Sequence, residues 1–290
     1  MENLTAKISC FARAYHYKSS EKPIFEDGAA EKLLGDDYDE IAAHVVRGIQ
    51  FFAPGFTGSD DEALRIAVDG QLSPSVLGRS RFAERCLMNE LRLGCMQYVL
   101  FAAGYDTFAL RTQAQGLRVY ELDQPELIAD KRRRIERSGL KEKAAVEYIA
   151  CDLADADWKA LLPGAGFRTG EKAFGSLLGL SYYLNEEAFR SLLRSISDLW
   201  SDGSAICFDY QTTDESDETH RNEQLAGAAG ESMKAKYTCA GMEKMLADCG
   251  FLIYEQLDDE EMTKQYFAPC RDDMRAPKGV NYILAVKKRV

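Results

Sequence analysis

Between Cys95 and Asp123 the chain reads CMQYVLFAAGYDTFALRTQAQGLRVYELD, and no other stretch restricts the fold as much. The apolar run Tyr98, Val99, Leu100 and Phe101 has the length of a buried strand and leads into Ala102, Ala103 and Gly104. A short helical pattern follows, then a second strand-like run from Leu117 to Leu122 that ends on Asp123. This predicts a strand–turn–helix–strand unit with an acidic residue about 20 positions beyond the glycine turn, where a carboxylate meets the ribose hydroxyls of a bound nucleoside. A dinucleotide fingerprint carries more glycine, because a pyrophosphate needs close backbone approach and a helix N-terminus against its charge. The single glycine of this turn better suits a nucleoside without phosphates, of which S-adenosylmethionine is the common example.

The same alternation runs to the end of the chain. Strand-like segments fall at 97–102, 117–122, 146–150, 174–180, 204–210, 251–256 and 281–287, most of them separated by helical stretches, which implies parallel strands with crossover helices. Residues 1–94 are helical and irregular instead, with amphipathic patterns at Glu40 to Phe52, Asp60 to Asp69 and Ser80 to Leu93. The expectation is one α/β domain over 1–290: a helical cap and lead-in over 1–94, then a core over 95–290 with a loop or helical insertion near 211–240. The cluster Lys131-Arg132-Arg133-Arg134 lies in a helical pattern after Pro125 and reads as a solvated helix face.

Charge and cysteine usage narrow the function classes. A net charge of -11 argues against binding a phosphate backbone, so no nucleic-acid partner is expected. The eight cysteines show no CxxC spacing, and His16, His44 and His220 are isolated from one another, so no metal set is expected. Scattered thiols suit a reducing cytoplasm, and no apolar run has the length of a membrane span.

Several motifs together resemble the leucine carboxyl methyltransferase family, a branch of the S-adenosylmethionine-dependent methyltransferases that includes polyketide O-methyltransferases. Arg79 in LGRSRFAER resembles the family's arginine ahead of the first strand, and FAAGYDTFALR (101–111) its LGAGxDTxxxR loop. VYELDQPELIADKRR (119–133) resembles its ExDxPxxxxxKR segment, CDLADADW (151–158) its DLxxxxW, and SLLGLSYYLNEEAF (176–189) stands in the place of EGxxxYL. The resemblance implies a Rossmann-like class I methyltransferase: a mostly parallel seven-stranded sheet with helices on both faces and a helical N-terminal cap. Two positions depart from the pattern. Leu178 replaces the family's glutamate before the glycine, and Ala102 replaces the first glycine of LGAG.

Site roles follow partly from chemistry and partly from the resemblance. Gly104 is read as holding a backbone conformation or close approach that a Cβ forbids. Asp106 and Thr107 are read as caps for the next helix. Asp123 can accept two charge-assisted hydrogen bonds from a ribose diol. The resemblance adds Asp152 and Leu153 at the adenine, Ala103, Gln124 and Gly179 to the cofactor wall, and Arg79 with Arg13 against the methionine carboxylate. Tyr182, Tyr183, Tyr210 and His16 are candidates for the acceptor pocket. No convincing general base stands out, which leans toward an acceptor already ionised at neutral pH, such as a carboxylate, over a phenol. The expected activity is methyl transfer from S-adenosyl-L-methionine to a carboxylate or hydroxyl oxygen of a small molecule. The alternatives are a protein C-terminal carboxyl methyltransferase, and a non-catalytic cofactor-binding protein, which Leu178 keeps open.

Overall fold

Strands β1 (Gln97–Phe101), β2 (Arg118–Asp123), β3 (Ala145–Ala150), β4 (Phe174–Leu177), β5 (Ala205–Gln211), β6 (Phe251–Leu257) and β7 (Val280–Lys287) form one sheet in the order β3-β2-β1-β4-β5-β7-β6. The computed structural model describes residues 4–155, 157–213, 224, 227, 233–271 and 273–289. The first five strands pair in parallel, and β7 runs antiparallel between β5 and β6. This is the mostly parallel α/β sheet that the alternation implies. Six strands begin and end within one residue of their expected bounds. β4 instead stops at Leu177, because the chain turns at Gly179, whose φ is +64°. The insertion expected near 211–240 falls largely outside the described residues.

Parallel strands with helices on both faces are buried on both, and the side-chain alternation divides them between two cores. In β1, Val99 and Phe101 join Trp158, Phe189, Trp200 and Met242 on one face. Tyr98 and Leu100 join Phe82, Leu87 and Phe174 on the other. In β7, Ile283 and Ala285 go to the first core, and Tyr282 and Leu284 to the second. A one-residue slip would exchange the two sets, so the register is firmly specified.

The helices that matter for the site are numbered along the chain: α1 (Leu4–Ser19), α2 (Ala30–Leu34), α3 (Asp37–Arg47), α4 (Ile49–Phe52), α5 (Asp60–Leu64), α6 (Ser73–Arg92), α7 (Phe108–Arg111) and α8 (Pro125–Ser138). A π-helical stretch, Arg65–Leu72, joins α5 to α6. The cap is fastened to the sheet by its own core. Phe11, Ala14, Leu33 and Val76 pack with Tyr105 of the turn after β1, with Leu110 of α7, and with Leu127 and Ile135 of α8. The cap thereby presses α1 onto the carboxyl ends of the strands.

Lys131-Arg132-Arg133-Arg134 is not uniformly a solvated face. Leu127, Lys131 and Ile135 recur every four residues, and all three are buried. Lys131 is 1% exposed and bonds Glu121 of β2 at 2.5 Å, while Arg134 spans Asp130 and Asp37. Only Arg132 and Arg133 of the four are exposed. The helical period that buries Leu127 carries Lys131 inward with it.

Candidate functional site

The chain builds outward from β1 to β3, then crosses back to lay β4 on β1's other edge. Adjacent loops diverge at such a point, and a crevice opens beyond the carboxyl ends of the strands. A cavity of about 410 Å³ lies there, walled by the turn after β1, the ends of β2 and β4, and α1. Arg13, Arg79, Ala103, Gly104, Asp123, Gly179 and Tyr183 all line it, although they span 171 positions from first to last (13 to 183).

The turn after β1 is built on two left-handed residues. Gly104 has φ +54° and Ala102 φ +53°, the one non-glycine residue with positive φ among those described. A Cβ at Gly104 would meet nothing closer than Ala6 at 3.5 Å, so conformation rather than crowding calls for glycine there. Ala102 pays the strain that the family's glycine avoids. Asp106 Oδ1 accepts from the Phe108 amide at 2.7 Å and opens α7, whereas Thr107 instead accepts from Arg111 Nε at 2.8 Å.

Asp123 is tied to this turn. Its Oδ2 accepts from the Gly104 amide and its Oδ1 from the Gln124 amide, both at 2.7 Å. The residue is 8% exposed, and burial pushes its carboxyl above the usual range against the pull of those amides and of Lys131. Each oxygen keeps a lone pair that can face the crevice.

Two guanidinium groups also line the crevice. Arg13 Nε bonds Asp27 at 2.8 Å and its Nη2 bonds the Tyr105 carbonyl at 2.7 Å, so the cap grips the turn directly. Asp27 also meets Arg111 at 3.2 Å. Burial favours a neutral Asp27, but the two guanidinium groups hold its carboxyl below the usual range. Arg79 donates to Tyr182 Oη at 3.0 Å and to Ser9 Oγ at 3.3 Å, with Asp209 Oδ2 at 3.8 Å. Gly179 makes this possible: a Cβ there would lie 2.7 Å from Arg79 Nη1. Its amide donates to Asp209 Oδ1 at 2.7 Å.

Other predicted residues lie elsewhere. His16 is wholly buried in the cap, where its Nε2 accepts from the Ile24 amide at 3.0 Å and its Nδ1 lies 3.2 Å from Asp69. With both nitrogens engaged in holding the cap together, it does not line the crevice. Tyr210 is likewise buried, accepting from Asn281 and donating toward Cys239 Sγ. Tyr182 stands behind the wall, between Arg79 and Asp209, and packs on Tyr183. Asp152, Leu153 and Gln124 are not in the cavity wall. Asp152 is exposed and caps its own turn through the Ala154 amide at 2.9 Å, Leu153 packs against the first core, and Gln124 is exposed.

Sequence reasoning missed Asp209, Thr5, Ser9 and Lys234. Asp209 carried a signal, since a carboxylate within AICFDYQ is buried on both sides and requires a partner. Thr5 and Ser9 lie on α1 at a helical spacing with Arg13, but only the packing of the cap shows which face meets the crevice. Lys234 enters the wall through a bond from its amide to the Tyr182 carbonyl at 2.6 Å.

Comparison with known proteins agrees with this architecture. Residues 6–197 match the leucine carboxyl methyltransferase family. A Bacillus subtilis (strain 168) protein, provisionally named S-adenosyl-L-methionine-dependent methyltransferase YktD, is 33% identical over 99% of this chain and 98% of its own length. A provisionally named S-adenosyl-L-methionine-dependent methyltransferase of Mycobacteroides abscessus is 32% identical over 69% of this chain and 68% of its own. Among solved structures, a DUF574 family protein of Streptomyces avermitilis superposes with a TM-score of 0.62 at 12% identity, covering 96% of this chain and 97% of that one. A protein of Thermobifida fusca, provisionally described as a methyltransferase, gives 0.57 at 15% identity over 84% and 95%. The structural likenesses establish the fold, and the sequence matches establish descent: this chain belongs to the leucine carboxyl methyltransferase family of S-adenosylmethionine-dependent methyltransferases.

Proposed function

We propose that the protein transfers the methyl group of S-adenosylmethionine to an oxygen of a small acidic molecule, a carboxylate in preference to a hydroxyl. In this assignment Asp123 takes the ribose diol, with Ala103 and Gly104 lending backbone beside it. Arg13 and Arg79 take the carboxylate of the methionine moiety across Gly179. Gln124, Asp152 and Leu153 flank the open side, at the ends of β2 and β3, where the adenine would extend. The residues suit such a ligand: a buried carboxylate, two guanidinium groups and a left-handed turn line one crevice.

The observation that carries the acceptor assignment is Lys234. It is exposed at the cavity wall beside Leu178, Leu180 and Tyr183, and its ammonium has no partner among the described residues. Thr5 Oγ1, on the same wall, also lacks a hydrogen-bond partner among them. A free cation and a free hydroxyl together favour an anionic acceptor. Among the described wall residues, Asp106 and Asp123 are bound to backbone amides, and Tyr105 donates to Asp130 with its own proton held tightly by burial, so none of these three is a poised base. A carboxylate needs none, being ionised at neutral pH. The bound cofactor supplies an electrophilic methyl group, and the protein aligns the partners and excludes water.

The test is label transfer from methyl-labelled S-adenosylmethionine to a panel of small carboxylic acids, each paired with its primary amide and alcohol. Base-labile methyl esters on the acids are the expected product. Label on nitrogen or sulfur would refute the oxygen assignment. A peptide ending in a free leucine carboxylate belongs in the panel, because the family match favours a protein C-terminus as the second possibility. Label on that peptide alone would select it.

A further inference from the structure

Tyr182 stands one residue before the tyrosine of the EGxxxYL pattern, at a position that the pattern leaves open. Its ring packs edge-on against Tyr183 with centroids 4.9 Å apart, a place that phenylalanine would fill as well. The hydroxyl is what calls for an account. It accepts from Arg79 Nη1 at 3.0 Å and donates to Asp209 Oδ2 at 3.3 Å, while the guanidinium and that carboxylate stay 3.8 Å apart. We infer that Tyr182 is a positioning residue that acts as a spacer: its hydroxyl holds Arg79 off Asp209, so that the guanidinium keeps N–H groups and attraction for a carboxylate ligand in the crevice. The inference rests on the role proposed for Arg79 at the methionine carboxylate.

An enclosed arginine and aspartate this close can shut into a two-bond pair, which uses parallel N–H groups and cancels most of the charge. Asp209 is fixed: it is wholly buried on β5, its Oδ1 accepts from the Gly179 amide at 2.7 Å, and its carbonyl accepts from Ser181 Oγ at 2.7 Å. Arg79 is the partner able to move, and a shift of about 1 Å would bring it to charge-assisted bonding distance. The interposed hydroxyl blocks that shift and meets each partner with a single bond. It stays protonated, because burial, with the Asp209 charge, pushes it well above its usual range. Among the described residues Nη1 bonds Tyr182 and Nη2 bonds Ser9 at 3.3 Å, so each terminal nitrogen keeps a second N–H. Arg79 lines the crevice with its side chain 14% exposed, and Tyr182 stands behind it.

The experiment is calorimetry of S-adenosylhomocysteine and adenosine binding to Tyr182→Phe, and to the double variant Tyr182→Phe with Asp209→Asn. Phenylalanine keeps the ring on Tyr183, so the single variant should fold. Without the hydroxyl Arg79 closes on Asp209, and S-adenosylhomocysteine should bind about tenfold or more weakly, as for the loss of one charge-assisted bond. Adenosine, without the carboxylate, should stay within about threefold of wild type. Asparagine at 209 keeps an oxygen for the Gly179 amide but removes the charge that draws Arg79 away. The double variant should therefore recover to within about threefold of wild-type affinity. A merely structural tyrosine would behave otherwise, since a second change in the same core would add to the loss. Unchanged S-adenosylhomocysteine affinity in Tyr182→Phe, equal losses for both ligands, or a double variant no tighter than the single would each overturn the inference. Should the double variant not fold, the two ligands on the single variant decide. Wild-type protein that binds S-adenosylhomocysteine no more tightly than adenosine would instead remove the Arg79 role, and the inference with it.

Discussion

Gly179→Ala is the smallest change that should separate the two ends of the crevice. It adds one methyl group, and two costs follow. The backbone there has φ +64°, where an L-residue is strained by about 1–2 kcal/mol. The new Cβ would also lie 2.7 Å from Nη1, 2.8 Å from Cζ and 3.0 Å from Nη2 of Arg79, closer than carbon tolerates, so the guanidinium must move away. Its bonds to Tyr182 and Ser9, at 3.0 and 3.3 Å, fix its present place. Displacement would forfeit one charge-assisted bond to the ligand carboxylate, about 1.5–3 kcal/mol, or roughly 10–150-fold in affinity. S-Adenosylhomocysteine affinity, read by calorimetry, should fall by that factor. Adenosine has no such carboxylate and should bind within about threefold of wild type. Melting should drop by about 2–4 °C per kcal/mol of backbone strain. Equal losses for both ligands, or unchanged affinity for both in a folded variant, would refute the placement of the methionine end against Arg79.

Three further outcomes are expected. Asp123→Ala should weaken S-adenosylhomocysteine by about 1.5–3 kcal/mol per ribose bond and cost about 1–3 kcal/mol of stability by orphaning the Gly104 and Gln124 amides; wild-type affinity by calorimetry in a folded variant would deny it the ribose. Ala102→Gly should raise stability by up to about 1 kcal/mol, because it relieves a left-handed alanine at φ +53° against some loss to unfolded-chain entropy; a lowered melting temperature would show that the methyl group packs usefully. Lys234→Glu should leave S-adenosylhomocysteine affinity within about threefold while raising KM for acidic acceptors at least tenfold, the factor for about 1.4 kcal/mol; equal effects on acids and their amides in steady-state assays would remove Lys234 as the selector of charge.

The strands were legible because burial on two faces leaves apolar residues at successive positions, as in Tyr98 to Phe101 of β1 and Ala205 to Phe208 of β5. β3 was found as well, although it is an edge strand with alternating exposure, because it falls at the right interval after α8. The glycine turn and Asp123 were legible because their chemistry is local: a left-handed residue and a carboxylate 19 positions later, joined by a single 2.7 Å bond. What sequence could not supply was three-dimensional coincidence. His16 invites a catalytic role by residue type, yet the partners that occupy it, Ile24 and Asp69, depend on how α1 packs. Tyr182 and Tyr183 are adjacent and alike, and only the position of Arg79 sends one behind the wall and leaves the other in it. Lys131 was legible but misjudged, since charge was weighed above the four-residue period that it shares with Leu127 and Ile135.

Leu178 bears on whether this crevice can turn over at all. A glutamate is the family's residue at that position, and its loss is the one sequence feature that favours a protein binding cofactor without catalysis. A guanidinium as enclosed as Arg79 needs a carboxylate nearby, for an unpaired buried charge is costly. Asp209 is that carboxylate: it is fully buried on β5, 3.8 Å from Arg79, and fixed by the Gly179 amide and the Tyr182 hydroxyl. The countercharge thus comes from the neighbouring strand, held by the amide of Gly179, the residue after Leu178. Leu178 itself packs partly against the second core and lends the cavity an apolar wall beside Lys234. An apolar surface next to an ammonium strengthens its hold on an anion, because less water competes for it. The substitution is then better explained as shaping the acceptor's side of the crevice than as disabling the cofactor's side.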